Sequence, residues 1–179
     1  STDVAWNDGV LRRSSTITVG DIEMGADALA IETVAAGGGS VCLFVNGRWC
    51  VGPQSAGADP GPACYGQGGP LTLTDVNLLA GRVDPEVFAI PIDITASQRA
   101  LSSVCDAAMQ WGSGCSEDEA ISGLLAIADQ RVAQAIRSSC AAHGGDPASA
   151  TLVAFGGAGG QHACGVAAHL GITQIIVPS

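Results

Sequence analysis

Residues 151–160 read TLVAFGGAGG; QHACGVAAHLG (161–171) and ITQIIVP (172–178) follow. An apolar run of strand length enters a turn in which Gly156, Gly157, Gly159 and Gly160 surround Ala158. A helical pattern leaves the turn, and a β-rich run closes the unit. Glycine permits positive φ and lets another molecule come close to the backbone. A helix starting near Gly160 aims free N–H groups and the positive end of its dipole at the turn. This β–loop–α–β unit, residues 150–179, predicts an α/β protein and a place to hold an anion or a nucleotide. The spacing matches neither standard phosphate loop. GxxxxGK followed by Ser or Thr is absent, and His162 stands where the third glycine of GxGxxG belongs. A tight turn packed in a core and a nucleotide site both fit the local pattern.

The other elements are read outward from this unit. Residues 3–6 suggest a short strand turned by Asn7-Asp8-Gly9, and residues 15–19 alternate as a strand does. Residues 21–30 fit a short helix or a loop. Residues 41–45 and 48–51 flank Asn46-Gly47, a pair suited to a type I′ hairpin turn. Before this hairpin lies a second close-approach loop, Gly37-Gly38-Gly39-Ser40. Residues 1–51 are thus β-rich, and residues 52–94 form a Gly/Pro-rich region. Its core, residues 52–70, is too dense in glycine and proline for helix or central strand. Cys64 and Tyr65 within it point to an ordered loop rather than a linker.

Residues 95–144 read as helical. Thr95 with Gln98, and Ser116 with Glu119, have capping-box spacing. The second box predicts a long helix over 117–142. Ile121, Leu124, Leu125, Ala128, Val132, Ala135, Ile136 and Cys140 form its apolar stripe, and His143-Gly144-Gly145 ends it. The fold class expected is α/β with a mixed sheet and flanking helices.

Apolar residues make up 47% of the chain and charged residues 13%, about half the usual share, so other surfaces are expected to cover part of this one. The net charge of −10 argues against nucleic acid and anionic membrane as partners. The seven cysteines form no CxxC pair and are scattered through apolar patterns, which fits a reducing, cytoplasmic setting. No signal-peptide pattern or membrane-length apolar run is read. No His/Cys/Asp spacing supports zinc. Asp59 precedes Pro60 and reads as a turn residue, Cys64 as a buried thiol, and Asp75 as a helix cap.

Three segments together resemble the hydantoinase A/5-oxoprolinase family, which includes N-methylhydantoinase and the acetone and acetophenone carboxylase subunits. They are TVAAGGGS (33–40), SAGADPGPACYGQGGPLTLTDVNLLAGRVDP (55–85) and LVAFGGAGGQHA (152–163). The last is more similar to 5-oxoprolinases than to hydantoinases. The resemblance implies that residues 1–179 are part of a longer domain with an actin-like ATPase fold, of the sugar-kinase and Hsp70 type. Ser1-Thr2-Asp3 resembles the tail of a phosphate-binding hairpin. The implied activity is ATP-dependent hydrolysis of a small cyclic amide, 5-oxoproline above all, through phosphorylation of the amide oxygen. The alternatives are a carboxylase subunit of the same family and a non-catalytic interaction lobe.

The implied cofactors are ATP and Mg²⁺. Thr2 and Asp3 would lie near the phosphates, with Asp3 as metal ligand and catalytic residue or simply a strand cap. Gly37, Gly38, Gly39 and Ser40 would line the cleft. Gly156, Gly157, Ala158, Gly159 and Gly160 would form the adenosine-side loop. His162 would be either a neutral hydrogen-bonding group near the nucleotide or a packed side chain. The implied partners are a hydantoinase B-type subunit or fused domain, the remaining lobes of the parent chain, and further copies in an oligomer.

Overall fold

The Asn-Gly hairpin forms as its sequence demands. Asn46 and Gly47 both take positive φ, 53° and 75°, and join β5 (Ser40–Val45) to β6 (Arg48–Ser55) in an antiparallel ladder. A computed structural model describes residues 1–19 and 22–178. In chain order the other strands and α-helices described are β1 (Thr2–Val4), β2 (Arg13–Val19), β3 (Ile22–Leu29), β4 (Glu32–Val34), α1 (Leu73–Leu79), α2 (Ile94–Gln110), α3 (Glu117–Ala142), β7 (Thr151–Val153), α4 (Gly159–Leu170) and β8 (Gln174–Ile176).

Among the described residues the strands form four separate two-stranded ladders rather than one mixed sheet. β1 pairs with β4, β2 with β3 and β5 with β6, all antiparallel; β7 and β8 run parallel across α4. Residues 22–29, expected as helix or loop, are strand β3. Their backbone groups are taken by β2, and Gly25 and Asp27 are weak helix formers. Asp21 and Ser179 lie outside the described residues. β6 continues through Gly52 and Pro53, which the sequence reading gave to the loop. A two-stranded ladder has only edges, where a residue without N–H is tolerated.

α3 spans Glu117–Ala142 as its capping box predicts, with Ser116 Oγ accepting from Glu119 N at 3.2 Å and Glu119 Oε2 accepting from Ser116 N at 2.8 Å. α2 starts before Thr95. Asp93 caps it by accepting from Ala96 N at 3.0 Å, and Ser97 turns inward. Among the described residues two cores lie along α3. The first joins Leu124, Leu125 and Ala128 to Cys42, Val51, Leu73, Val76 and Leu101. The second joins Ala133 to Val166, Ala167, Leu170 and Ile172.

The Gly/Pro loop is ordered, and one carboxylate orders it. Asp75, wholly buried in α1, accepts five hydrogen bonds. Cys64 N (2.7 Å) and Ser97 Oγ (2.7 Å) reach Oδ1; Ala63 N (3.1 Å), Thr72 N (2.8 Å) and Thr72 Oγ1 (2.8 Å) reach Oδ2. Asp75 was expected to stand ahead of a helix over 76–79, but α1 begins at Leu73 and Asp75 lies inside its first turn; it closes the helix start by accepting from Thr72 N, and it also holds the loop and α2. Where the loop crosses itself there is no room for a side chain: a Cβ on Gly69 would lie 1.9 Å from Gly61 O.

Cys64 is buried, as expected, and so is Cys42. Burial, reinforced by the Asp75 charge, pushes each thiol up from 9.0 to about 12. Neither is a ready nucleophile.

Three outcomes follow from these contacts. Asp75→Ala removes the acceptor that five donor groups share and should lower unfolding free energy by about 4 kcal/mol, while Asp75→Asn, which puts N–H against donors, should cost at least about 2 kcal/mol in urea titration. The thiols of Cys42 and Cys64 keep their protons when folded and lose them more readily when unfolded, so they contribute stability below pH 9.0 that is lost as pH rises towards about 12. Native-state alkylation should modify exposed Cys164 and spare Cys42 and Cys64 until the chain unfolds.

Candidate functional site

α1 brings the two glycine-rich turns together. Thr74 N donates to Gly38 O at 2.9 Å, and the Cβ position of Gly38 lies 2.8 Å from Thr74 Oγ1 and 4.0 Å from Ala158 Cβ. One helical turn on, Asn77 Nδ2 lies 3.0 Å from His162 Nε2. Beyond the end of α1, Arg82 Nη1 donates to Gln161 O at 3.0 Å. The start of α4 is thus held along one side of α1 and the segment after it.

The glycines of the first turn are required by protein atoms. A Cβ on Gly37 would lie 2.5 Å from Ser1 N, and one on Gly39 would lie 3.0 Å from Ser55 Oγ. Ser40 is buried, and its Oγ accepts from Gly37 N at 3.0 Å. Thr2 Oγ1 donates to Ala36 O, which ties β1 to the same turn. Asp3, its neighbour in the strand, is exposed and accepts from Thr33 Oγ1 at 2.7 Å. Among the described residues no group of three His, Cys, Asp or Glu side chains could hold a metal ion.

The second turn is different. Gly156 has φ +86°, yet added Cβ atoms at Gly156 and Gly157 would meet nothing within 4 Å. At Gly159 and Gly160 they would make only ordinary contacts, 3.9 and 3.8 Å. Protein packing therefore does not explain this cluster of glycines. Ala158 is the N-cap of α4 and supplies no side-chain acceptor; the first turn carries no acidic residue. α2 and α3 begin at N-cap side chains, and the start of α1 is closed by Asp75 accepting from Thr72 N. α4 presents its N-terminal N–H groups and dipole without such a partner, as anion-binding helices do. Gln161 Nε2 donates to Gly157 O at 2.9 Å and braces the turn from within.

His162 lies inside. It is 8% exposed, and both ring nitrogens are engaged by protein: Nδ1 with Asp129 Oδ1 at 2.6 Å and Nε2 with Asn77. Both nitrogens of the ring are thus occupied within the protein. Sequence reading missed Asp129, Asn77, Thr74 and Arg82. Asp129 carried a signal: it stands one turn after Leu125 and beside Ala128, a charge on the border of an apolar stripe. Asn77 and Arg82 lie within the segment that carries the family resemblance, but no local pattern links them to residues about 80 positions away.

The chain is 40% identical to 5-oxoprolinase PfmaA of Pestalotiopsis fici over 99% of its length, and 40% identical to 5-oxoprolinase of Saccharomyces cerevisiae over the same share. It spans 14% of each of these relatives. Among solved structures, it resembles nucleotide-free acetone carboxylase, an enzyme of ATP-dependent acetone carboxylation, with TM-score 0.82 and 26% identity, covering 98% of this chain and 25% of the other. It also resembles the ATP-dependent caprolactamase of Pseudomonas jessenii, with TM-score 0.76 and 31% identity, over 87% of this chain and 23% of the other. The hydantoinase/oxoprolinase family model matches residues 1–179 throughout, and the chain belongs to that family.

Proposed function

We propose that this chain forms part of the ATP site of a cyclic-amide hydrolase of the 5-oxoprolinase type. One observation carries the reading: glycines 156, 157, 159 and 160, which no protein atom requires for space, open a helix that no side chain caps. Close backbone approach by a phosphate or nucleotide accounts for both features. Relatives named 5-oxoprolinase supply the substrate class, and both solved neighbours are ATP-dependent by description. The actin-like fold belongs to this proposal, as does a reducing cytoplasmic setting. The latter is supported by seven free cysteines; among the described residues no helix is long and apolar enough to cross a membrane.

The residues fit the group. Gly156 to Gly160 leave room beside the N–H groups of α4, and Arg82 brings a cation to Gln161 in an otherwise acidic chain. Mg²⁺ commonly takes one or two carboxylates and completes its shell with phosphate and water. Asp3 is the carboxylate proposed here, next to Thr2 and the first glycine turn. ATP, when bound, supplies the phosphoryl group that activates the lactam oxygen. The chain's own part is to hold the phosphates with N–H groups and to keep the two turns in register through Thr74 and Asn77. A hydantoinase B-type subunit or fused domain, the remaining lobes of the parent chain, and an oligomeric assembly complete the proposed enzyme. A carboxylase subunit is the second reading, favoured by the TM-score of 0.82 to acetone carboxylase.

Phosphate release in Mg-ATP by the full enzyme polypeptide carrying this chain, with its partner portion, distinguishes the readings. Release that requires 5-oxoproline is the expected result. Release that requires bicarbonate and a ketone would transfer the site to carboxylation; release with none of these substrates, or no release at all, would overturn the proposal. Gly157→Val places a side chain in open space, so it should leave stability within about 0.5 kcal/mol while raising KM for ATP roughly tenfold.

A further inference from the structure

Asp129 is a carboxylate at the seam between the two cores of α3, 4% exposed. A charge in such a place needs a partner. Its partner is His162 Nδ1 at 2.6 Å, one turn into α4 from the glycine cluster. The close approach of α3 and α4 that makes this contact depends on Gly165, where a Cβ would lie 1.9 Å from Asp129 Oδ2.

The direction of the chain of hydrogen bonds follows from its far end. Asn77 Nδ2 donates to Leu73 O at 2.9 Å, a carbonyl that can only accept. The same amide nitrogen faces His162 Nε2 at 3.0 Å. A flip of the amide would set its oxygen against Leu73 O, so the nitrogen stays and its second hydrogen goes to Nε2. His162 Nε2 must accept, which places the ring proton on Nδ1 and directs it to Asp129. Asn77 Oδ1 is left buried without a partner in this arrangement. The amide thus gives both its hydrogens to the chain while its own oxygen goes unsatisfied, which a side chain kept only for packing would not require.

We propose that Asp129, His162 and Asn77 are positioning residues that fix the glycine turn 156–160 against α1 in the shape that receives the nucleotide. The inference rests on the reading of that turn as a nucleotide site. It assigns His162 no contact with ATP. The imidazole instead couples the turn to α3 on one side and to α1, and so to Gly38 through Thr74, on the other.

The test is amide hydrogen exchange of residues 156–162 in this chain, read against residues 117–125 of α3, with Mg-ATP affinity measured on the same samples. Asn77→Leu keeps the volume and removes both donations. It should speed exchange at 156–162 at least about fivefold, the factor one net hydrogen bond is worth, leave 117–125 unchanged, and weaken Mg-ATP by a similar factor. Asp129→Asn retains an acceptor for Nδ1–H but loses the charge, and should shift both readouts in the same direction as Asn77→Leu by a smaller factor. Acceleration spread evenly over both segments, or none, would overturn the proposal. Should Asn77→Leu fail to fold, the nitrogen-15 spectrum of His162 in the unaltered chain decides: a proton on Nδ1 with Nε2 bare supports the relay, and a proton on Nε2 refutes it. If exchange responds locally but the unaltered chain binds no Mg-ATP, the positioning role stands and the nucleotide reading falls.

Discussion

A single buried carboxylate organises this chain. Placing Asp75 out of reach of water is costly for a charge unless donors replace its hydration. Five donors converge on it, from the Gly/Pro loop, from the start of α1 and from α2. Remove that convergence and residues 61–70 lose their reason to fold inward, because glycine and proline give them little apolar surface to bury. With the loop fixed, α1 is fixed, and α1 is the short helix that meets both glycine turns. Thr74, one residue before Asp75, meets the first turn; Asn77, two residues after it, meets the helix that follows the second.

α3 supplies the second constraint. Its length, about 39 Å at 1.5 Å per residue, lets one helix serve two cores. The first core packs the β5–β6 hairpin, α1 and α2 on its early turns, and the second packs α4 and Ile172 on its later ones. Asp129 interrupts the apolar surface at the junction and turns it into a specific contact with His162. The parallel pair β7–β8 then carries the glycine turn at its end, with Val153, Phe155, Ile176 and Val177 exposed along it. Large apolar groups left open on so short a ladder agree with a chain that spans about a seventh of its 5-oxoprolinase relatives.

Local chemistry decided what could be read from sequence. Asn46-Gly47 has one comfortable turn geometry, and Ser116 with Glu119 satisfies N-terminal amides by itself, so both elements stand where the residues place them. The apolar stripe of α3 and the β–loop–α–β unit are equally local. β3 was obscured because Gly25 and Asp27 favour neither helix nor strand; pairing with β2 settled it. The start of α2 was missed because Asp93 caps it while Ser97 is drawn to Asp75, 22 residues earlier. In the site, the glycines announced an unusual turn, but the need for Gly37 to Gly39 proved to come from Ser1, Thr74 and Ser55. The chain Asp129–His162–Asn77 joins residues 33 and 85 positions apart, a separation no periodicity spans.

In the proposed function this framework presents Gly156 to Gly160 and the start of α4 to a nucleotide; that presentation can be observed. It is tested most directly by a crystal structure of the chain with Mg²⁺ and a non-hydrolysable ATP analogue. The analogue is expected against the second glycine turn, beside Gly38 and Thr74, with His162 still bonded to Asp129 and Asn77. An analogue bound elsewhere, or no analogue at saturating concentration, would contradict it.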